Sequence, residues 1–367
     1  MKVALVHDYL NQYGGAERVL EVLIDIFPEA HVYSLLYHND GALKRFEKQV
    51  RKTSFLDIGL VRRHHRLFIP MMPLAAQSID LGSDYDLIIS DTAGYAKGIR
   101  HSPQTFHISY CHTPLRYVWE MDNYFQSRIF KLAFRPIFKY LRNWDFKAAH
   151  KPDIMIANSN FIARKIKDYY QRQAAVIFPP VDGKKFYFSK ASKGKVTASY
   201  YLAVGRLLHY KKFDLIIEAF QELNLPLKIV GAGPEFNNLK SKISNLKSRN
   251  IELLQFVSDE ELRNLYTGSE ALIFPQVEDF GLVAVEAQAC GAPVIAFAGG
   301  GALEIIQDGI SGIFFYRQQV QDLVLAVRRF EKMRFNRKKI SQLAQRFSVT
   351  SFKNGIISKI PPQLLNS

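Results

Sequence analysis

The sequence predicts an α/β protein of two doubly wound parallel sheets, and three observations carry that expectation. Short runs of β-branched and large apolar residues alternate with helix-patterned stretches, as parallel strands joined by crossover helices require. The alternation falls into two series that part near Pro179-Pro180-Val181-Asp182. At 367 residues and 48% hydrophobic, the chain is too long for one ordinary domain and has apolar mass for two cores. The expected domains are 1–180 and 181–346.

In chain order, Val3–His7 opens the first series as a strand. Gly15–Ile26 follows as a helix, because Val19, Leu20, Leu23 and Ile24 recur on one face. His31–Leu35, Leu87–Ser90, His107–Cys111, Ile154–Ala157 and Val176–Phe178 are the next strands. The second series reads Tyr201–Val204, Leu227–Val230, Glu252–Phe256, Ala271–Phe274 and Pro293–Ala296. Helical stretches such as Asp214–Leu223, Asp259–Thr267 and Leu282–Cys290 separate these strands. Polar Ser189–Ser199 reads as the linker region, and no short-period repeat suggests a solenoid.

Composition removes several classes of function. The apolar fraction excludes a disordered or collagen-like chain, and no apolar run reaches the ~18 residues of a membrane-spanning helix. The N-terminal MKVALVHDYLN is cut by His7 and Asp8, unlike a signal peptide, so a cytoplasmic location is expected. Cys111 and Cys290 lie far apart and form neither a disulfide scaffold nor a metal-ligand spacing. The net charge of +15 asks for an acidic partner, and a nucleotide, a nucleic acid and an anionic membrane all qualify.

Doubly wound sheets bind ligands where strands run into loops at their C-terminal ends. The first such loop, His7 to Glu17, carries Gly14 and Gly15 at a helix start, where backbone can approach a phosphate. A ligand-free glycine turn explains it equally, and the spacing is not the GxGxxG of nicotinamide enzymes. In Phe274 to Glu286, Glu278 and Glu286 bracket a helix start. Carboxylates there can grip sugar and ribose hydroxyls while the positive helix end faces a diphosphate; the alternative is a glutamate paired within the helix. Arg206 and Lys211 follow the strand Tyr201–Val204 and can neutralise a diphosphate, or stand as solvated cations. His112, just beyond His107–Cys111, can donate to a substrate oxygen or exchange a proton, or be a satisfied structural histidine. Gly299-Gly300-Gly301 before Glu304, and Gly231-Ala232-Gly233, read as phosphate-tolerant loops or as tight turns.

Taken together, Gly14-Gly15-Ala16-Glu17, Arg206 with Lys211, the Glu278/Glu286 pair and Gly299–Glu304 resemble the family-4 retaining glycosyltransferases. The resemblance covers nearly the whole chain. It implies a GT-B fold, two facing Rossmann-like domains with a ligand crevice between them and a C-terminal crossover, 347–367, returning to the first domain. It implies that Arg206 and Lys211 bind the diphosphate, and that Glu278 touches the donor sugar with backbone around Phe280, Gly281 and Leu282. By the same resemblance, Glu286 holds the ribose, Gly15 lies near the phosphates and His112 near the transferred sugar. Transfer would proceed with retention and no required metal or cofactor beyond the nucleotide sugar. Tyr110–Glu120 also looks like a subgroup of bacterial surface-polysaccharide mannosyltransferases, which points to GDP-mannose and a glycan or lipid-linked acceptor. The run of three glycines before Glu304 departs from the family's usual two.

One stretch remains. Phe125–Lys151 carries seven Lys or Arg against the single acid Asp145. Arg128, Lys131, Arg135, Lys139 and Arg142 form one helical stripe, and Ile129, Phe130, Phe134, Phe138 and Leu141 another face. Pro136 would kink this helix or start a second one. The stretch can lie on an anionic bilayer at the cytoplasmic leaflet or pack on its own domain with a solvated basic face. Residues 51–66, with Arg62, Arg63 and Arg66 around Leu60 and Val61, favour the membrane. A nucleic-acid binder is the rival from another class; no zinc spacing, RNP-like strand or helix-turn-helix supports it, and the crevice glutamates would repel a phosphate backbone. No nucleic-acid partner is therefore expected.

Overall fold

The computed structural model describes residues 1–121, 132–188, 199–246 and 248–365. The chain forms two compact units, Met1–Pro180 with Phe352–Ser367, and Val181–Ser351. Each is a Rossmann-like parallel sheet with helices, the architecture of the GT-B fold.

The first unit holds strands β1 (Val3–Leu10), β2 (His31–Tyr37), β3 (Val50–Thr53), β4 (Leu87–Thr92), β5 (Phe106–Cys111), β6 (Ile154–Ala157) and β7 (Ala175–Val176). They are parallel, in spatial order β3-β2-β1-β4-β5-β6-β7. Successive side chains of β1 serve opposite faces: Ala4 and Val6 join one core, Val3 and Leu5 the other. A parallel sheet covered on both sides needs such strands, apolar nearly throughout. Helix α1 (Gly15–Ile26) covers one face with Val19, Leu20 and Leu23.

The second unit holds β8 (Tyr201–Val204), β9 (Leu227–Val230), β10 (Ile251–Leu254), β11 (Leu272–Phe274), β12 (Val294–Phe297) and β13 (Gly312–Phe315). Their order is β10-β9-β8-β11-β12-β13, and helices α3 (Phe213–Leu223), α4 (Asp259–Gly268) and α5 (Leu282–Ala289) follow β8, β10 and β11 in the chain. In each sheet the order reverses once, between β1 and β4 and between β8 and β11. That reversal leaves an opening at the strands' C-terminal ends.

Two strands were not expected. β3 is a polar edge strand, Val50-Arg51-Lys52-Thr53, with nothing in its composition to mark it. β13 begins on Gly312, which reads as a turn; a Cβ there would sit 2.0 Å from the Val294 carbonyl oxygen, so only glycine fits. The expected strand over Glu252–Phe256 stops at Leu254, because its partner β9 ends at Val230, the residue paired with Leu254. Val176–Phe178 is likewise shortened to Ala175–Val176 ahead of Pro179, which has no N–H for a ladder.

The return to the first unit falls at Phe352, not Phe347. Phe347 is fully buried in the second unit, its carbonyl accepting from Val181 N at 2.8 Å and its ring edge-on to Phe280. Phe352 packs edge-on against Tyr110 of the first unit.

Helix α2 (Arg135–Ala148) carries Pro136 in its first turn, so the proline starts a helix and does not kink one. Arg128, Ile129, Phe130 and Lys131 lie outside the described residues. Of the expected apolar face, Phe138 and Leu141 are buried but Phe134 is 40% exposed. Arg142 does not belong to a free cationic stripe, since its Nε donates to the Val118 carbonyl at 3.0 Å and its guanidinium lies over Trp119. Asp145 is no surface acid either. It is wholly buried, paired with wholly buried Lys97 at 2.6 Å, and accepts from the Trp119 indole and the Tyr170 hydroxyl. In residues 51–66, Val61 is buried and Arg62 is bound to Asp57 at 2.7 Å.

Candidate active site

In the second unit, the loop after β8 passes Gly205 and exposed Arg206, then turns at His209–Lys211. That turn draws the Lys211 side chain inward until the residue is only 9% exposed. Its Nζ lies 2.9 Å from Glu278 Oε1, in the loop after β11. Lysine and glutamate thus meet where the sheet order reverses. Helix α5 (Leu282–Ala289) begins just beyond, capped by Gly281 at φ 107, a left-handed conformation that favours glycine. A Cβ at Gly281 would also meet the Phe274 ring at 2.9 Å.

Helix α5 is buried on every side, and its second turn places Glu286 in the interior at 2% exposure. Glu286 Oε2 accepts from the hydroxyl of Tyr266, on α4 (Asp259–Gly268), at 3.1 Å. One turn on, the Cys290 thiol is pushed up to about 12 by burial and by the charge of Glu286. The structure therefore joins Lys211 to Glu278 and holds Glu286 by a different partner.

The glycine-rich loops explain themselves by packing. Gly301 N donates to the Glu278 carbonyl at 2.9 Å, and Cβ atoms at Gly300 and Gly301 would lie 2.2 Å from the Glu278 and Phe280 carbonyl oxygens. Cβ atoms at Gly231 and Gly233 would likewise lie 2.0 and 2.5 Å from the Gly205 and Leu207 carbonyl oxygens. Each glycine loop backs the loop that carries Lys211 or Glu278. The Glu304 carbonyl accepts from Arg346 at 2.6 Å.

In the first unit, the residues at the β1/β4 reversal form a buried charged cluster. Asp91, at the end of β4, is wholly buried. Its Oδ2 lies 2.9 Å from His7 Nδ1 and its Oδ1 lies 2.6 Å from His112 Nε2. The other ring nitrogen of His7 stands 3.6 Å from Glu17. Burial would lower the His7 imidazole, but bonds to Asp91 and Glu17 outweigh it and raise it to about 10. Burial would raise the Asp91 carboxyl; the two histidines outweigh that and hold it below its usual value. Asn158 donates to the His112 carbonyl at 3.0 Å, fixing the backbone, and the ring's side chain stays 13% exposed. The Gly14 N–H of the first glycine loop is taken by Glu17 at 2.8 Å, and Gly15 opens α1. Asp8 accepts from the backbone N–H groups of Ala93, Tyr95 and Ala96 and so ties down the turn after β4.

Asp91 and Tyr266 were missed in the sequence. Asp91 is the residue after the expected strand Leu87–Ser90, and its strand-end position was the available signal. Tyr266 gave none, since it sits at an ordinary core spacing.

The sequence family described as Glycosyltransferase Family 4 matches residues 13–185, and that described as Glycosyl transferases group 1 matches residues 186–347. An uncharacterized glycosyltransferase of Methanocaldococcus jannaschii is 29% identical over 190 residues, 52% of this chain and 50% of that protein. A D-inositol 3-phosphate glycosyltransferase of Geodermatophilus obscurus is 31% identical over 202 residues, 48% of this chain and 45% of that one. The chain thus spans about half the length of these curated relatives or less. Among solved structures, Anabaena HepE in complex with UDP superposes with TM-score 0.72 at 20% identity, covering 98% of this chain and 99% of that one. Sucrose-phosphate synthase of Thermosynechococcus elongatus superposes with TM-score 0.75 at 17% identity, over 100% of both chains.

Proposed function

Because the chain belongs to the family-4-type GT-B glycosyltransferases, we propose that it moves a hexose from a nucleoside-diphosphate donor to a glycan or lipid-linked acceptor, with retention. The observation that carries this reading is the Lys211–Glu278 pair at the β8/β11 reversal, beside the start of α5. Fixed cations there stabilise a diphosphate both when bound and when it leaves. Lys211 and Arg206 neutralise the leaving group without a metal. Glu278, with backbone of Phe280, Gly281 and Leu282, addresses the hexose hydroxyls, and Glu286 the ribose. In the first unit, Gly14 and Gly15 serve the phosphates and His112 the transferred sugar. In a front-face displacement, the departing phosphate oxygen takes the proton of the acceptor hydroxyl while the new glycosidic bond forms.

For the donor, the Tyr110–Glu120 segment favours GDP-mannose, whereas HepE is solved with UDP. For the acceptor, the inositol-phosphate enzymes among the relatives support a phosphorylated polyol as the second reading. A peripheral position on the cytoplasmic membrane face is supported by Phe55, Ile58, Leu60, Leu67 and Leu74, each more than half exposed in the same segment as exposed Arg63 and Arg66. Among the described residues, no helix is long and apolar enough to cross a membrane.

A thermal-shift panel of GDP, UDP and their sugars, on wild type and Glu286→Ala, tests the reading. One nucleotide should stabilise the wild type and fail on the variant; no shift from any member would end it. Sedimentation with anionic liposomes should be lost on charge reversal at Arg63 and Arg66, and binding unchanged by that reversal would remove the membrane.

A further inference from the structure

We infer that Tyr266 is a positioning residue, which sets the Glu286 carboxylate in the orientation that receives the donor's ribose hydroxyls. The inference rests on the reading of Glu286 as the ribose ligand and adds what aims it.

The Glu286 side chain lies in the interior of the unit, so the protein and not water must fix its plane. A carboxylate offers about four acceptor sites. A vicinal diol uses two of them in one plane, and that plane is free to turn about the last side-chain bond unless a donor pins it. The Tyr266 hydroxyl is such a donor, 3.1 Å from Oε2. Tyr266 cannot itself drift. It is wholly buried, its ring meets the edge of Phe186 at 6.0 Å and 70°, and its carbonyl accepts from the Ser269 hydroxyl at 2.9 Å. Cys290, the residue just past α5, adds no second charge beside this carboxylate, because burial and the Glu286 charge raise its thiol to about 12. A phenol on a rigid helix thus holds one carboxylate oxygen and sets the direction in which the group faces a ribose.

The test is calorimetric titration of UDP and GDP, each beside its 2′-deoxy form, on wild type and Tyr266→Phe, with Glu286→Gln as reference. The wild type should bind its preferred ribonucleotide more tightly than the deoxy form. Tyr266→Phe should weaken the ribonucleotide about fivefold and leave the deoxy form nearly unchanged, so the ratio between them falls toward that of Glu286→Gln. A purely structural role would weaken both forms together. An unchanged ratio in Tyr266→Phe overturns the inference, as does a variant that no longer folds, since the hydroxyl would then serve folding. A wild type that binds both forms alike instead overturns the reading of Glu286, and the two failures are told apart.

Discussion

Lys211 and Glu278 are held 2.9 Å apart across the reversal of the second sheet, each largely shielded from water. A diphosphate arriving at Lys211 must displace this carboxylate or share the ammonium with it. Removing the cation and removing the anion therefore have opposite consequences for binding. Lys211→Met should weaken the preferred nucleoside diphosphate about tenfold or more, the value of a charge-assisted hydrogen bond. Glu278→Gln should bind it at least as tightly as the wild type while transfer is lost. Calorimetry with the free nucleotide reads both, and a Glu278→Gln variant that binds more weakly would contradict the competition.

The glycines behind these two loops make a stability prediction. A methyl group at Gly231 or Gly301 would meet backbone oxygen at 2.0 or 2.2 Å, and backbone cannot rotate aside. Alanine at either should cost about 2–3 kcal/mol or more. At Gly183 no atom lies within 4 Å, so alanine there should be nearly neutral. Urea denaturation of the three variants distinguishes steric packing from mere turn preference, which would make them similar.

The contrast between these glycines and their neighbours shows what the sequence can disclose. Strand and helix periods gave both sheets, because a parallel strand buried on both faces is apolar throughout and stands out. Glu278 and Glu286 were legible because two acids bracket one helix start beside small residues, Ala284, Ala287 and Ala289, that let a ligand come close. Lys97 and Asp145 were not. Nothing in the sequence marks Lys97, and Asp145 reads as a lone acid in a basic stretch, until the fold brings residues 48 positions apart into one buried pair. Gly299–Gly301 was ambiguous for a related reason: a glycine that touches a phosphate and one that touches a neighbouring carbonyl carry the same letter.

His7 couples the first unit's stability to pH. Its folded pKa is raised from 6.5 to about 10 by Asp91 and Glu17 acting against burial, so protonation favours the folded state. The stabilisation is complete below 6.5 and is lost as pH climbs through about 10. Asp91 has the opposite sign: held below 3.8, it stabilises above that value and fails as pH falls beneath it. The denaturation midpoint of the wild type should therefore drop between about pH 7 and pH 10, by an amount worth of order a few kcal/mol. His7→Gln should be less stable at neutral pH and flatter over that window. Parallel pH profiles for the two proteins would refute the coupling.

The same aspartate has a second duty, toward His112. Its two oxygens are divided between two imidazoles, Oδ2 to His7 and Oδ1 to His112. A ring that donates from Nε2 to this carboxylate keeps its proton there, which leaves Nδ1 as the acceptor when the ring is neutral. Asp91→Asn replaces one of the two acceptors with an amide N–H, so both histidines can no longer donate. If His112 serves the transferred sugar, its tautomer and orientation are then lost while the nucleotide ligands of the second unit remain. The expected result is a fall in kcat of about a hundredfold, with nucleotide affinity within about twofold. Ring nitrogen NMR should show the His112 tautomer becoming mixed in the same variant. Transfer retained within a factor of about two, with the tautomer mixed, would mean that His112 acts through neither nitrogen; loss of both binding and transfer would mean that Asp91 holds the unit together and does not aim the ring.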